Sequence, residues 1–224
     1  METEEAAALA ALVEGARPPA RLGILGGTFD PPHRAHLALA RRAREALGLA
    51  AVVLVPTGRP AFKQDRPVTD AAVRLRLTKA VVADEEGLAV SAVEVDRPGV
   101  TYAVDTLREL HGALPDVELV FILGADAALT LTRWKDANDL ARLATFAVAE
   151  RPGYKLGARE LASLREAGFS IETFSLEVLD VSSSAIRASV AAGEGPGPDV
   201  PGSVGDIIAA EGLYGKEADH GRLA

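Results

Sequence analysis

Residues 26–36 read Gly26-Gly27-Thr28-Phe29-Asp30-Pro31-Pro32-His33-Arg34-Ala35-His36. A short apolar run, Leu22-Gly23-Ile24-Leu25, precedes them and reads as a buried strand. Residues 37–47 follow with the composition and apolar spacing of a helix. The order is therefore strand, Gly-rich bend, helix. Such a bend gathers free backbone N–H groups and the positive end of a helix dipole, where an anion is stabilised. Paired glycines let a phosphate approach the backbone closely. His33 and His36 are three apart at the helix start, so both rings can share a face. Two imidazoles beside a helix N-terminus suit a phosphate better than a metal, because the dipole opposes a cation. The pattern is neither the dinucleotide fingerprint G-x-G-x-x-G nor a P-loop, since no Gly-Lys-Ser/Thr occurs.

Downstream, apolar runs alternate with helical stretches. Residues 51–55 are continuously apolar and β-branched, as in a strand buried on both faces of a parallel sheet. Residues 88–95 alternate as a strand, and residues 117–123 and 145–149 form further buried strands. Residues 170–174 complete the set as a short strand. Asp70 has the place of an N-cap for a helix over 71–83, with Val73, Leu77, Ala80 and Val81 inward. Helices are also expected over 158–168 and 203–212, and Ser182 can cap another. This alternation implies an α/β fold with a doubly wound, mostly parallel sheet. Residues 1–20 read as an N-terminal appendage without a chemical role, residues 21–214 as a single domain, and residues 215–224 as a tail.

Composition narrows the function. The net charge of −8 argues against a nucleic-acid coat. No window has the apolar length needed to span a bilayer, and residues 1–20 lack a signal-peptide pattern. The absence of cysteine excludes disulfides and thiolate zinc sites and fits a cytoplasmic protein. No protein-only metal site is visible.

The motif over 26–36 resembles the GGTFDPxHxGH signature of nucleotidyltransferases, specifically the bacterial nicotinate mononucleotide adenylyltransferases. Ala35 stands where that family usually has glycine. Further motifs follow in order. Pro56, Pro60 and Lys63 match a polyphosphate loop, P-x-x-x-P-H-K/R, with Phe62 in place of its histidine. Thr101-Tyr102-Ala103 and Thr106-Leu107 are similar to P-S-Y-T-x-x-T-L, whose turn holds the nicotinate carboxylate. Gly124 and Asp126 match G-x-D, and Trp134 matches the family's tryptophan. Arg151 lies in a remnant of R-R-P-G-Y, and residues 181–187 resemble I-S-S-T-x-I-R. Leu213-Tyr214 matches a closing G-L-Y. Taken singly, Trp134 reads as core filler, Lys63 as a solvated lysine and Ser182 as a simple cap.

The resemblance implies a Rossmann-like nucleotidyltransferase fold. It also implies transfer of the adenylyl group of ATP, with Mg²⁺, to nicotinate mononucleotide, giving deamido-NAD and pyrophosphate. By that resemblance His33, His36, Lys63 and Arg187 are catalytic. Gly26, Gly27, Thr28, Phe29, Ser182, Ser183 and Ser184 bind ATP. Thr101, Tyr102, Ala103, Gly124, Asp126, Trp134 and Arg151 bind the acceptor. No nucleic acid or membrane is implied as a partner, and self-association is left open. Two alternatives remain: a same-fold adenylyltransferase for nicotinamide mononucleotide or phosphopantetheine, and a non-catalytic nucleotide-binding regulator.

Overall fold

The computed structural model describes residues 3–16, 19–60, 68–151, 153, 155–177 and 179–215. Phe62 and Lys63 lie outside the described residues, as does the tail from 216. In chain order the elements are α1 (Thr3–Val13), β1 (Arg21–Gly27), α2 (Arg34–Leu47), β2 (Ala51–Pro56), β3 (Arg59–Pro60), α3 (Ala71–Val82), β4 (Leu88–Val90), β5 (Val100–Thr101) and α4 (Ala103–Ala113). Then come β6 (Glu118–Gly124), α5 (Ala125–Ala128), α6 (Ala137–Leu143), β7 (Thr145–Glu150), α7 (Ala158–Glu166), β8 (Ile171–Ser175), α8 (Ser183–Ala192) and α9 (Gly202–Ala210).

Six strands form one parallel sheet in the order β4-β2-β1-β6-β7-β8. The chain builds outward from β1 in one direction, then returns to β6 on its other side and builds the opposite way. The switch point is therefore the β1–β6 boundary, and ligands bind beyond the carboxyl ends of strands at such a boundary. Gly26, Gly27 and Gly124 end those two strands.

Residues alternate between two cores, one per face, because strand side chains point to opposite sides in turn. Ile24, Val53, Val55, Phe121 and Leu123 pack with Leu107 and Leu110 of α4, Leu140 of α6 and Leu164 of α7. Leu25, Val52, Leu54, Val120 and Ile122 pack with Leu37 and Ala40 of α2, Leu77 of α3, Ile186 of α8 and Ile208 of α9. Both faces are covered, which is why these strands are apolar throughout rather than alternating.

Several elements differ from the expectations drawn from sequence. Gly26 and Gly27 are not in the bend. They are the last residues of β1, in register with Val55 and Pro56, and the turn falls at residues 28–33. β4 ends at Val90 instead of running to 95. Its last bond to β2 is Ser91 N–H to the Leu54 carbonyl, after which Asp96 N–H closes a turn on Ala92. That turn buries both Val93 and Glu94, which a strand would send to opposite faces. Within residues 1–20, Leu9 of α1 is buried in the first core, and Glu5 Oε1 accepts from Ala92 N–H at 2.8 Å. The helix thus braces the same turn. Asp70 caps α3 as expected, its Oδ1 accepting from Ala72 and Val73 N–H.

Candidate active site

At the carboxyl ends of β1 and β6 lies a cavity of about 450 Å³. It brings together Gly26, Gly27, Thr28, His36, Thr101, Tyr102, Ala103, Gly124 and Trp134 from segments far apart in sequence.

The floor of the motif is set by Phe29. Its ring is buried, its backbone is left-handed at φ +50°, and it stands edge-on to His36 with centroids 4.9 Å apart. A Cβ at Gly27 would meet that ring at 2.8 Å, whereas one at Gly26 would meet only the Phe121 ring, at 3.6 Å. Gly27 is therefore small for Phe29, and Gly26 leaves its space to a ligand. Phe29 was expected at the nucleotide, but its side chain is packed beneath the loop.

His33 is the N-cap of α2, and its N–H donates to Nδ1 of His36 at 3.2 Å. The acceptor role fixes the neutral His36 tautomer with its proton on Nε2. Burial pushes His36 down to about 3, with the His33 ring adding to the effect. Burial likewise lowers His33 to about 4, against a pull upward from Asp199. Both are neutral at pH 7. His36 lines the cavity, while His33 sits behind it, its buried Nδ1 without a partner among the described residues. As neutral rings they offer a phosphate hydrogen bonds rather than charge.

Ser182 caps α8 by accepting from Ala185 N–H at 3.2 Å. Ser183 Oγ donates to the Pro31 carbonyl at 2.8 Å, and Arg187 Nη1 to the Asp30 carbonyl at 2.7 Å. These residues thus hold the motif's turn, and Arg187 also reaches Ser184 Oγ at 3.4 Å. Asp30 in turn accepts from the Tyr214 hydroxyl at 2.8 Å. Burial raises the Tyr214 pKa, with Asp30 next, so the phenol stays a donor.

On the other side, Tyr102 is the N-cap of the eleven-residue α4 but provides no side-chain cap bond. Asp105 N–H turns back to the Tyr102 carbonyl at 3.1 Å, which leaves the N–H groups of Ala103 and Val104 as the ones an anion could take. Thr101 is buried and donates to the Arg59 carbonyl at 3.3 Å. Trp134 donates from Nε1 to Thr130 Oγ1 at 2.9 Å and meets Phe121 edge-on at 6.0 Å. Asp126 is exposed at the start of α5.

Arg151 directly follows β7, and its Nη2 lies 3.8 Å from where a Cβ on Gly124 would stand. It is exposed and lines a separate hollow with Arg42 and Lys155, between α2 and the ends of β7 and β8. Two cavity residues were missed in the sequence. Lys135 donates to Asp105 Oδ2 at 2.9 Å and lies 4.6 Å over the Tyr102 ring; its one signal was adjacency to Trp134. Glu94 gave none, because it sat in an apparent strand. Among the described residues, no group of three His, Cys, Asp or Glu side chains could hold a metal ion. No helix among them is long and apolar enough to cross a membrane.

A motif with two histidines at the switch point of a doubly wound sheet, facing a cavity of two halves, defines a nucleotide-handling transferase. The cytidylyltransferase-like family model matches residues 24–189. The chain is 42% identical over 194 residues to a probable nicotinate-nucleotide adenylyltransferase of Corynebacterium kroppenstedtii, covering 87% of this chain and 90% of that one. It is 41% identical to the like-named protein of Herpetosiphon aurantiacus, over 87% and 98% of the two chains. A Plasmodium falciparum nicotinic acid mononucleotide adenylyltransferase complexed with NaAD shares the fold, with a TM-score of 0.69 and 18% identity over 87% of this chain and 97% of that one. This chain belongs to the cytidylyltransferase-like family and, within it, to the nicotinate-nucleotide adenylyltransferases.

Proposed function

We infer that the protein joins ATP and nicotinate mononucleotide into deamido-NAD and pyrophosphate, a step of NAD biosynthesis. The observation that carries this reading is the single cavity in which the histidine motif of β1–α2 faces Trp134 and the open N-terminus of α4. The first half suits a polyphosphate, and the second suits a flat ring bearing an anionic group.

The acceptor's 5′-phosphate oxygen attacks the α-phosphorus of ATP. The new P–O bond forms as the bond to the β-phosphate oxygen breaks, and pyrophosphate leaves with the electron pair. The attacking oxygen is already anionic, so no general base is needed. Catalysis is positioning plus stabilisation of charge on the leaving group. We assign His36 Nε2–H and the N–H groups at Gly26, Gly27 and Thr28 to the phosphates, with His33 orienting His36. Positive charge comes from Arg187 and Lys63, and from Mg²⁺ entering as the ATP complex. Asp30, the motif's carboxylate, already accepts from Tyr214 and from Thr69 N–H, and no cluster among the described residues would cage the ion; bound with ATP, it would add positive charge at the phosphates. We assign Ser182 and Ser184 to the ATP side, and Thr101, Tyr102, Ala103, Gly124, Asp126 and Trp134 to the acceptor. Lys135 beside the α4 N-terminus supports an acid over an amide. The cysteine-free composition favours a cytoplasmic location.

Phosphorus NMR of a reaction with MgATP and nicotinate mononucleotide tests this reading. The α-phosphorus signal should move into a dinucleotide diphosphate as pyrophosphate appears. Hydrolysis of ATP to AMP or ADP, with the acceptor untouched, would refute it.

A further inference from the structure

Arg74 of α3 is 1% exposed, yet carries a guanidinium. Among the described residues it bonds to carbonyls and to no carboxylate. Nε donates to the Thr69 carbonyl at 2.7 Å, Nη1 to Thr28 at 2.9 Å and Nη2 to Gly58 at 2.9 Å. Burial lowers its pKa, partly offset by the nearby charges of Asp30 and Asp70. Desolvating a guanidinium is costly, so a neutral side chain of similar volume would fill this space with less penalty. What only an arginine offers here is a rigid fork that holds carbonyls from separate segments at fixed spacing.

Glu94 is the counterpart on the other side of the same glycine, taking its N–H where Arg74 takes its carbonyl. It is 8% exposed, and the Gly58 N–H donates to it. It also accepts from Thr106 Oγ1 at 2.8 Å, and Thr106 accepts in turn from Arg97 at 3.0 Å. Gly58 has no room for a side chain, since a Cβ would lie 2.1 Å from the Glu94 carbonyl oxygen. The neighbouring residues tie into both halves of the cavity. Thr57 N–H donates to the Gly27 carbonyl at 2.8 Å. Arg59 and Pro60 pair with Val100 and Thr101, which lead directly into α4.

A continuous chain of bonds therefore runs Thr28, Arg74, Gly58, Glu94, Thr106, from the phosphate side to the acceptor side. We propose that Arg74 and Glu94 are positioning residues that act through Gly58, holding the peptides on its two sides and fixing the distance between the ATP-binding strand end and the acceptor-binding helix N-terminus. Neither touches a reacting atom. They set the alignment that in-line attack requires, and a misplacement on the order of 1 Å costs roughly 10²-fold in rate. The proposal rests on the adenylyl-transfer reading above.

The test uses the full chain with MgATP and nicotinate mononucleotide, comparing wild type, Arg74→Lys, Glu94→Gln and the double variant. Pyrophosphate release gives kcat, calorimetry gives the Kd of each substrate alone, and melting gives Tm. Wild-type turnover decides the functional reading by itself. The proposal predicts that each single variant loses kcat, by roughly 10–10²-fold, while each Kd stays within about threefold. The double variant should be no slower than the worse single one, because both act through the same residue, Gly58, on one chain of bonds. Three outcomes overturn it: unchanged kcat, losses that multiply in the double variant, or a parallel loss of both affinities with Tm. Where Arg74→Lys yields no folded protein, Thr106→Val on the same chain of bonds replaces it with the same criteria.

Discussion

The backbone N–H of His33 donates to Nδ1 of His36, and the two rings lie 3.9 Å apart at centroids. The bond leaves the single proton of His36 on Nε2, on a ring at the start of a helix that lines the cavity. His36→Ala should lower kcat by about 10²–10³-fold, the usual loss when one preorganised donor is removed. ATP affinity should fall far less. Because His36 is neutral, kcat should show no inflection near pH 6.5, the ordinary imidazole value. Steady-state rates of wild type and variant from about pH 5.5 to 8 check both points. A near-normal variant, or a wild-type step near pH 6.5, would remove a neutral His36 donor from the mechanism.

The same burial sets a pH dependence of stability. The folded chain holds His33 near 4 and His36 near 3, below the unfolded value of about 6.5. As pH falls through about 6.5, the unfolded chain binds protons that the folded chain does not. Stability should therefore drop between about pH 6.5 and 4 and be fully present above that window. Glu94, raised by burial, acts with the opposite sign. Denaturant midpoints of wild type minus those of a His33→Asn/His36→Asn variant isolate the histidine contribution. The difference should fall as the solution is acidified; a flat difference would mean that the rings bind protons equally in the folded and unfolded chains.

Trp134 is the chain's sole tryptophan, so its fluorescence reports on the acceptor half alone. Titration with nicotinate mononucleotide should change that fluorescence. Trp134→Ala should weaken acceptor binding about tenfold, as expected for loss of about 1.4 kcal/mol of ring stacking, with ATP binding little altered. Equal losses for the two substrates would assign the ring to the core with Phe121.

The glycine pair gives a contrast inside one motif. Gly27→Ala collides with the buried Phe29 ring and should lower Tm, with a stability loss of about 1–3 kcal/mol. Gly26→Ala meets nothing closer than 3.6 Å and should keep Tm while raising the KM for ATP. Melting curves beside ATP titrations separate the two; equal effects would contradict the packing described for Phe29.

Much of the fold is legible in the sequence because local rules and tertiary packing agree. The β-branched run at residues 51–55 can only be a strand buried on both sides, and Asp70 and Ser182 cap the helices that they precede. What escaped depends on partners distant in sequence. Arg74 looks like a surface charge on α3 until Thr28 and Gly58 are folded against it. Glu94 is hidden by an alternation that the turn at residues 92–96 breaks. The charge state of His33 and His36 follows from burial, which spacing does not encode. Arg151 follows its expected strand end and lines a hollow beside α2, while its Nη2 comes within 3.8 Å of the Cβ position of Gly124.

The most direct measurement is kcat/KM for pyrophosphate release from MgATP with three acceptors: nicotinate mononucleotide, its amide and phosphopantetheine. The account predicts robust turnover with the acid and negligible turnover with phosphopantetheine. It also predicts an acid-over-amide preference of at least about tenfold that shrinks in Lys135→Ala, one factor of ten being about 1.4 kcal/mol. Equal or better turnover of the amide or of phosphopantetheine, or binding of ATP without pyrophosphate release from any acceptor, would contradict it.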